Sequence, residues 1–335
     1  MLILAFESSC DETACAVVDM GGGKREILSN KVASQISIHK LYGGVVPEIA
    51  SRAHTEAISG LTREAFAESG VSMPDIEAVA VTNAPGLIGA LLVGVNFAKG
   101  IAAANGKPLV PVNHIRGHVA AIYLAHKDLE PPFTAFVASG GHTSIINVKG
   151  YTDFETIGAT RDDAAGEAFD KVARLLGMPY PGGAEMDALA KEGDPDAVHF
   201  PSAAGFPDTL DFSFSGLKTA VINHIHNLDQ KGEPLPRADI CASFTKAVCG
   251  SIVKRLSEAL DLTGSDKLVI AGGVSANSHL RLALSELAEK RGVGLYMPPL
   301  GLCGDNGAMI GAQGYYEYLA GNTASSGLNA YATKR

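Results

Sequence analysis

One order of elements occurs twice in this chain, and it restricts the fold more than any other feature. Residues 2–6 read as a strand, Glu7-Ser8-Ser9-Cys10-Asp11-Glu12-Thr13 as a polar turn and residues 14–19 as a second strand, which makes a hairpin. Residues 76–82 then read as a strand, Asn83-Ala84-Pro85-Gly86 as a tight turn, 87–104 as a helix and 109–112 as a strand. The hairpin returns at 133–148, turning through Ser139-Gly140-Gly141-His142-Thr143. The strand–turn–helix–strand unit returns as 267–271, Gly272-Gly273, 276–290 and 294–297. We read this as internal duplication: a duplicated α/β fold of two related domains facing a central cleft.

The first domain is expected over residues 1–115 and the second over 116–305. The interval from hairpin to repeat unit is longer in the second half, 133–267 against 2–76, which places an insertion at about 158–236. Residues 306–335 form the remaining segment. Its first part is rich in small residues (Gly307, Ala308, Gly311, Ala312, Gly314), suits close helix packing and is expected to return to the first domain. The stretch 320–335 is polar and is expected to be only partly ordered.

His114-Ile115-Arg116-Gly117-His118 follows the last strand of the first repeat. Asn113 is a good N-cap, so a helix starting at His114 puts both imidazoles on one face, a turn apart. The equivalent place in the second repeat holds Gly304-Asp305-Asn306, and a pseudo-twofold relation brings Asp305 toward the histidines. Two imidazoles and a carboxylate suit one divalent zinc or iron ion with open positions for substrate. Asp305 could instead cap the helix that follows, and Cys303 is a weaker candidate ligand.

Composition narrows the classes. The chain has 27 basic and 36 acidic residues, a net charge of −9, so contact with nucleic acid needs a local basic patch or a partner. Five cysteines without a C-x-x-C pattern point to a reducing compartment. No signal-peptide pattern opens the chain and no apolar run reaches the length of a membrane span, so a soluble cytoplasmic protein with no membrane contact is expected.

The two glycine turns, at 139–143 and 272–277, offer backbone N–H groups and hydroxyls to phosphate oxygens. Neither is G-x-G-x-x-G nor a loop ending in G-K-[ST]. Glu167 and Asp170 lie on a helical stretch striped by Phe169, Val172, Leu175 and Leu176, and Asp187 lies in a short helix after Gly182-Gly183. These carboxylates could accept hydrogen bonds from ribose hydroxyls or be ordinary solvated charges. Glu7, Asp11 and Glu12 crowd one turn, where Asp11 or Glu12 could take a proton from an attacking amine or position it. Cys10 lacks a paired base and is a poor candidate nucleophile.

These motifs, with Tyr42-Gly43-Gly44-Val45-Val46-Pro47-Glu48 and Gly166-Glu167-Ala168-Phe169-Asp170-Lys171, occur in the order seen in the TsaD family. The chain resembles these tRNA N6-adenosine threonylcarbamoyltransferases, once labelled O-sialoglycoprotein endopeptidases, over nearly its whole length, in their bacterial branch. One departure is Ala84 before Pro85, where the family commonly has glycine. The resemblance implies the duplicated fold of actin, heat-shock ATPases and sugar kinases (ASKHA). It implies transfer of the threonylcarbamoyl group from L-threonylcarbamoyladenylate to N6 of the adenosine 3′ of the anticodon, in tRNAs reading codons that begin with A, with release of AMP. By position, His114, His118 and Asp305 would hold one Fe(2+) or Zn(2+) per subunit. Val137, Ala138, Ser139, Gly140, Gly141, Asp170, Gly183, Asp187 and Asn277 would bind the adenylate. The implied partners are tRNA, a smaller paralogue of the same fold (TsaB-like) and an ATPase (TsaE-like).

Two rival activities fit parts of the pattern. An ATPase or sugar kinase would share the fold, since fold does not fix function. A metallo-endopeptidase would need Glu directly after the first histidine, where Ile115 stands.

Overall fold

The computed structural model describes residues 1–333. Along the chain run β1 (Leu2–Glu7), β2 (Glu12–Gly21), β3 (Lys24–Ser34), α1 (Ile36–His39), α2 (Pro47–Ser69), β4 (Ala78–Ala84), α3 (Ile88–Asn105), β5 (Leu109–Asn113) and α4 (His114–Ala125). There follow β6 (Phe133–Ala138), β7 (Thr143–Val148), β8 (Phe154–Ala159), α5 (Ala165–Leu175), α6 (Gly183–Ala190), α7 (Ser215–Lys231) and α8 (Arg237–Thr263). The chain closes with β9 (Lys267–Ala271), α9 (Ser278–Arg291), β10 (Gly294–Tyr296) and α10 (Gly307–Leu319).

The two sheets share one topology. The first runs β3-β2-β1-β4-β5 and the second β8-β7-β6-β9-β10, each with its first three strands in meander order and its last two beside the first. β1 pairs antiparallel with β2 (Leu4↔Val17) and parallel with β4 (Leu4↔Val79). β6 repeats this with β7 (Phe136↔Ile145) and β9 (Phe136↔Ile270). A parallel pair needs a crossover, and α2 with α3 supply material for it in the first sheet, as the helices up to α8 do in the second.

The chain divides into two compact units. One comprises Met1–Pro131, Gly150–Phe154 and Pro298–Arg335, the other Pro132–Lys149 and Glu155–Met297. The first unit therefore runs past residue 115 to Pro131 and takes back the chain at Pro298, ahead of the boundary expected at 305. The reason is α10, which covers one face of the first sheet and carries its preceding loop with it. Of the segment expected at 306–335, Lys334 and Arg335 lie outside the described residues.

In the first unit, strand alternation sorts side chains between two helical layers. Leu4, Phe6, Val17, Val79 and Val81 face Ile58 of α2 and Leu91, Val95 and Ala98 of α3. Ala5, Ala16, Val18 and Ala80 face α10, which lies close because its contact positions are glycine. A Cβ on Gly311 would sit 2.7 Å from Val18 Cγ2, and one on Gly314 2.5 Å from Ala80 Cβ. In the second unit, Phe136, Ile145, Leu268 and Ile270 pack with Phe169 and Val172 of α5, Phe244, Ile252 and Leu256 of α8, and Leu280 and Leu284 of α9.

Three expectations need correction. Helix α3, with 18 residues and mean hydropathy 1.4, does reach the length and apolarity of a membrane span, although it lies along β4 in the first unit with Leu91, Val95 and Ala98 buried. Leu175 leaves the α5 stripe and is 40% exposed, the helix burying Leu176 instead. The stretch after α10 is docked rather than loose. Ala324 bridges Leu109, Lys99 Nζ donates to the Leu328 carbonyl, Ala330 is buried, and Tyr331 N donates to Asn83 O.

Candidate metal centre and glycine turns

β5 delivers α4 to the centre. Asn113 accepts hydrogen bonds from Ile115 N and Arg116 N at 2.9 and 3.3 Å, so the helix begins at His114 as the sequence implies. His114 and His118 follow one turn apart, their ring centroids 4.6 Å from each other at 75°. Asp305 arrives in the loop before α10, whose N-cap is its neighbour Asn306, accepting from Met309 N at 3.0 Å. Asp305 is therefore not the cap. Its Oδ1 lies 3.1 Å from His118 Nε2 and 3.6 Å from His114 Nε2. One ligand atom from each of the three residues falls within 4.8 Å of the others. All three belong to the first unit, so the carboxylate does not come from the opposite half.

The chemistry of this set suits a cation. Both imidazoles are buried, and among the described residues neither ring nitrogen of His118 has a hydrogen-bond partner, although Asp305 Oδ1 stands 3.1 Å from its Nε2. A buried imidazole without partners is costly unless something else takes its lone pair, as a divalent ion does. Cys303 stays outside the set: its thiol is buried and contacts the Pro299 carbonyl at 3.5 Å.

The turn after β1 surrounds this centre with carboxylates. Glu7 is wholly buried and accepts from Ser9 N at 2.5 Å, Thr82 Oγ1 at 2.6 Å and His114 Nδ1 at 3.0 Å. Burial opposes the charge on His114, but the Asp305 and Glu7 carboxylates outweigh it and push the imidazole up to about 9. The metal-free fold thus holds a proton more tightly than the unfolded chain. That stability is present in full below about pH 6.5 and lost as pH rises through about 9. Metal-free protein is expected to melt at progressively lower temperature across this window, and His114→Gln to flatten the slope, as read by calorimetry.

Glu12 is pushed up to about 9, by burial first and then by Asp305 and Asp11. It holds its proton at neutral pH in this form, and Ser34 Oγ donates to it at 3.3 Å. Asp11 is buried beside it. The Cys10 thiol is pushed up by burial and by Asp11, which removes it as a nucleophile. His54 is an interior residue: Thr13 Oγ1 donates to its Nδ1 at 2.7 Å and its Nε2 donates to Cys10 O at 2.9 Å. Those bonds tie α2 to the acidic turn.

The adenylate candidates all lie in the second unit. β6 and β9 end together, with Val137 opposite Ala271. There Gly272 takes φ +87°, and a Cβ on it would meet Ala138 O at 2.4 Å. Gly166 reaches the same place, where a Cβ would meet Ser139 O at 2.5 Å. Glycine at both positions lets two turns and the start of α5 converge. No heavy atom crowds the Cβ positions of Gly140, Gly141, Gly183 or Gly273, which leaves their backbone open to a ligand.

Val137 is a buried strand residue. The carboxylates brace the surroundings. Asp170 Oδ1 accepts from Gly182 N at 2.8 Å, ahead of α6. Asp187 Oδ1 accepts from Ser278 N and Oγ at 2.9 and 3.0 Å and contacts His279 Nδ1 at 3.1 Å, joining α6 to α9. Asn277 caps α9, accepting from Leu280 N at 2.9 Å. Glu167, the other carboxylate on α5, pairs with Lys171 at 2.8 Å and is solvated.

Two copies of one five-stranded α/β unit, one of them bearing a His–His–Asp ligand set, define a protein of the fold shared by actin, heat-shock ATPases and sugar kinases. Solved structures bear out the fold. Full-length HypF aligns with TM-score 0.63 at 16% identity over 99% of this chain and 47% of that one. Component A of (R)-2-hydroxyglutaryl-CoA dehydratase from Acidaminococcus fermentans aligns with TM-score 0.55 at 17% identity over 96% of this chain and 99% of that one. Such low identity speaks for fold alone. The chain belongs to the TsaD family, tRNA N6-adenosine threonylcarbamoyltransferase, whose family model matches residues 26–312. A tRNA N6-adenosine threonylcarbamoyltransferase of Clostridium perfringens is 54% identical over 98% of this chain and 96% of that protein. One from Clostridium botulinum is 53% identical over the same shares.

Proposed function

We propose that this chain transfers the threonylcarbamoyl group from L-threonylcarbamoyladenylate to N6 of the adenosine 3′ of the anticodon, in tRNAs reading codons that begin with A, and releases AMP. The observation that carries this reading is family membership over nearly the full length, joined to a His114–His118–Asp305 set whose ligand atoms lie within 4.8 Å. These three residues would hold one Fe(2+) or Zn(2+) per subunit, and the ion would supply Lewis-acid polarisation and a template for the threonylcarbamoyl end. Backbone N–H groups of Gly140 and Gly141, with the turn before Asn277, would bind the adenylate phosphate, while Ser139 N closes the turn by donating to His142 O at 2.8 Å. Gly183 leaves room for the nucleoside, while Asp170 and Asp187 hold the walls of its site. Asp11 or Glu12 would orient the adenine amine, and Asp11, or Glu12 once a bound cation has displaced its own proton, would take the amine proton. AMP leaves readily, so positioning and charge stabilisation carry most of the rate.

The working assembly includes tRNA, a smaller paralogue of the same fold and an ATPase, and the reaction belongs in the cytoplasm with its substrate. The test supplies purified protein with those partners, L-threonylcarbamoyladenylate, ATP and unmodified tRNA, followed by nucleoside mass spectrometry. Threonylcarbamoyladenosine is expected with AMP released in equal amount. ATP turnover or sugar phosphorylation without modified tRNA would favour a kinase-type reading instead.

A further inference from the structure

We infer that Glu7 is a positioning residue for both histidines, acting through His114 and set in place by Thr82. This rests on the metal reading given above and concerns the chain's own side chains. Glu7 ends β1 with no exposed surface, a place where a carboxylate is costly unless donors surround it. It has three: Ser9 N at 2.5 Å, Thr82 Oγ1 at 2.6 Å and His114 Nδ1 at 3.0 Å.

An ionised carboxylate can only accept, so it fixes the proton of His114 on Nδ1. Nε2, 3.6 Å from Asp305 Oδ1, is then the nitrogen that gives up its proton for an ion. Without that acceptor the ring could flip, or carry its proton on the nitrogen that should bind the ion. Ser9 Oγ, 3.2 Å from the same Nδ1, adds to the anchoring.

His118 has no such support, since its Nδ1 is without a hydrogen-bond partner. It meets the edge of His114, at 4.6 Å between centroids, and Asp305 Oδ1, 3.1 Å from its Nε2. The order of dependence thus runs Thr82, Glu7, His114, with His118 resting in part on the His114 ring. A partner of this kind typically changes metal affinity by about 10–100-fold.

The experiment measures Co(2+) and Zn(2+) dissociation constants by competition with a chromophoric chelator. It compares wild type, Glu7→Gln and Thr82→Val, recording the Co(2+) d–d spectrum and metal-free melting for each. Glu7→Gln keeps one acceptor oxygen and sets an amide N–H against the donors that the other oxygen served. We expect about 10–100-fold weaker binding with an altered d–d spectrum, and a smaller loss in the same direction for Thr82→Val. Thr82→Val is nearly isosteric and touches neither histidine, so it decides the matter if Glu7→Gln does not fold. Folded variants that bind Co(2+) as tightly as wild type with an unchanged spectrum would overturn the inference, as would lower melting temperatures with unchanged affinity. Wild-type protein that binds neither ion is a distinct result, and it would remove the metal reading itself.

Discussion

Replacing His114 with alanine is expected to abolish metal binding and to destabilise the metal-free protein by about 3–5 kcal/mol. His118→Ala is expected to abolish binding at a cost limited to lost packing. The difference lies in what each substitution leaves behind. Glu7 is wholly buried, and its carboxyl is held below its ordinary range: burial opposes the charge, but the His114 imidazole outweighs it. Removing His114 strands that charge in the interior, whereas the ring nitrogens of His118 have no hydrogen bond to lose. Denaturant unfolding of metal-free protein and metal analysis of purified protein separate the two effects. Transfer to tRNA should be lost in both variants. Full modification by either one would dismiss the ligand assignment.

The second large effect reverses an ordinary rule. Glycine to alanine inside an exposed helix usually stabilises, by up to about 1 kcal/mol. Gly60 in α2 and Gly100 in α3, which have no heavy atom within 4 Å of a built Cβ, should follow the rule. Gly311→Ala and Gly314→Ala should break it. Their Cβ atoms would fall 2.7 Å from Val18 Cγ2 and 2.5 Å from Ala80 Cβ, on strands that cannot yield independently. Overpacking of this kind costs about 1–3 kcal/mol per site, and the double variant should lose more than either single one. Denaturation midpoints of the four single variants check the sign at each position.

What could be read in the chain beforehand follows from the range of the interactions. The strand 267–271, the cap at Asn113 and the one-turn spacing of His114 and His118 depend on neighbours in sequence, and the structure reproduces them. β3 and β8 escaped notice: Lys24–Ser34 mixes charged and apolar residues on an edge, and Phe154–Ala159 is short and half exposed. Glu7 was visible only as one acid in a crowded turn. Its partners Thr82 and His114 lie 75 and 107 positions away, beyond any local pattern. The same holds for Asp305. A repeat in the sequence assigned it to the second half, because periodicity records ancestry of elements and not which sheet a later helix covers. The tail reads as polar, yet its backbone finds partners at Leu109 and Asn83 that composition does not reveal.

The placement of α10 also sets an order of assembly during biosynthesis. The face of the first sheet formed by Ala5, Ala16, Val18 and Ala80 is made early, but the helix that seals it is encoded after residue 306. Translation at about 5–20 residues per second leaves that apolar face waiting roughly ten to forty seconds after Pro131 has been joined. The unit begun second can therefore finish first, and a nascent chain halted before α10 would carry an uncovered, aggregation-prone surface. Because Asp305 travels with the same late segment, the nascent chain could not complete its ligand set until that seal is in reach.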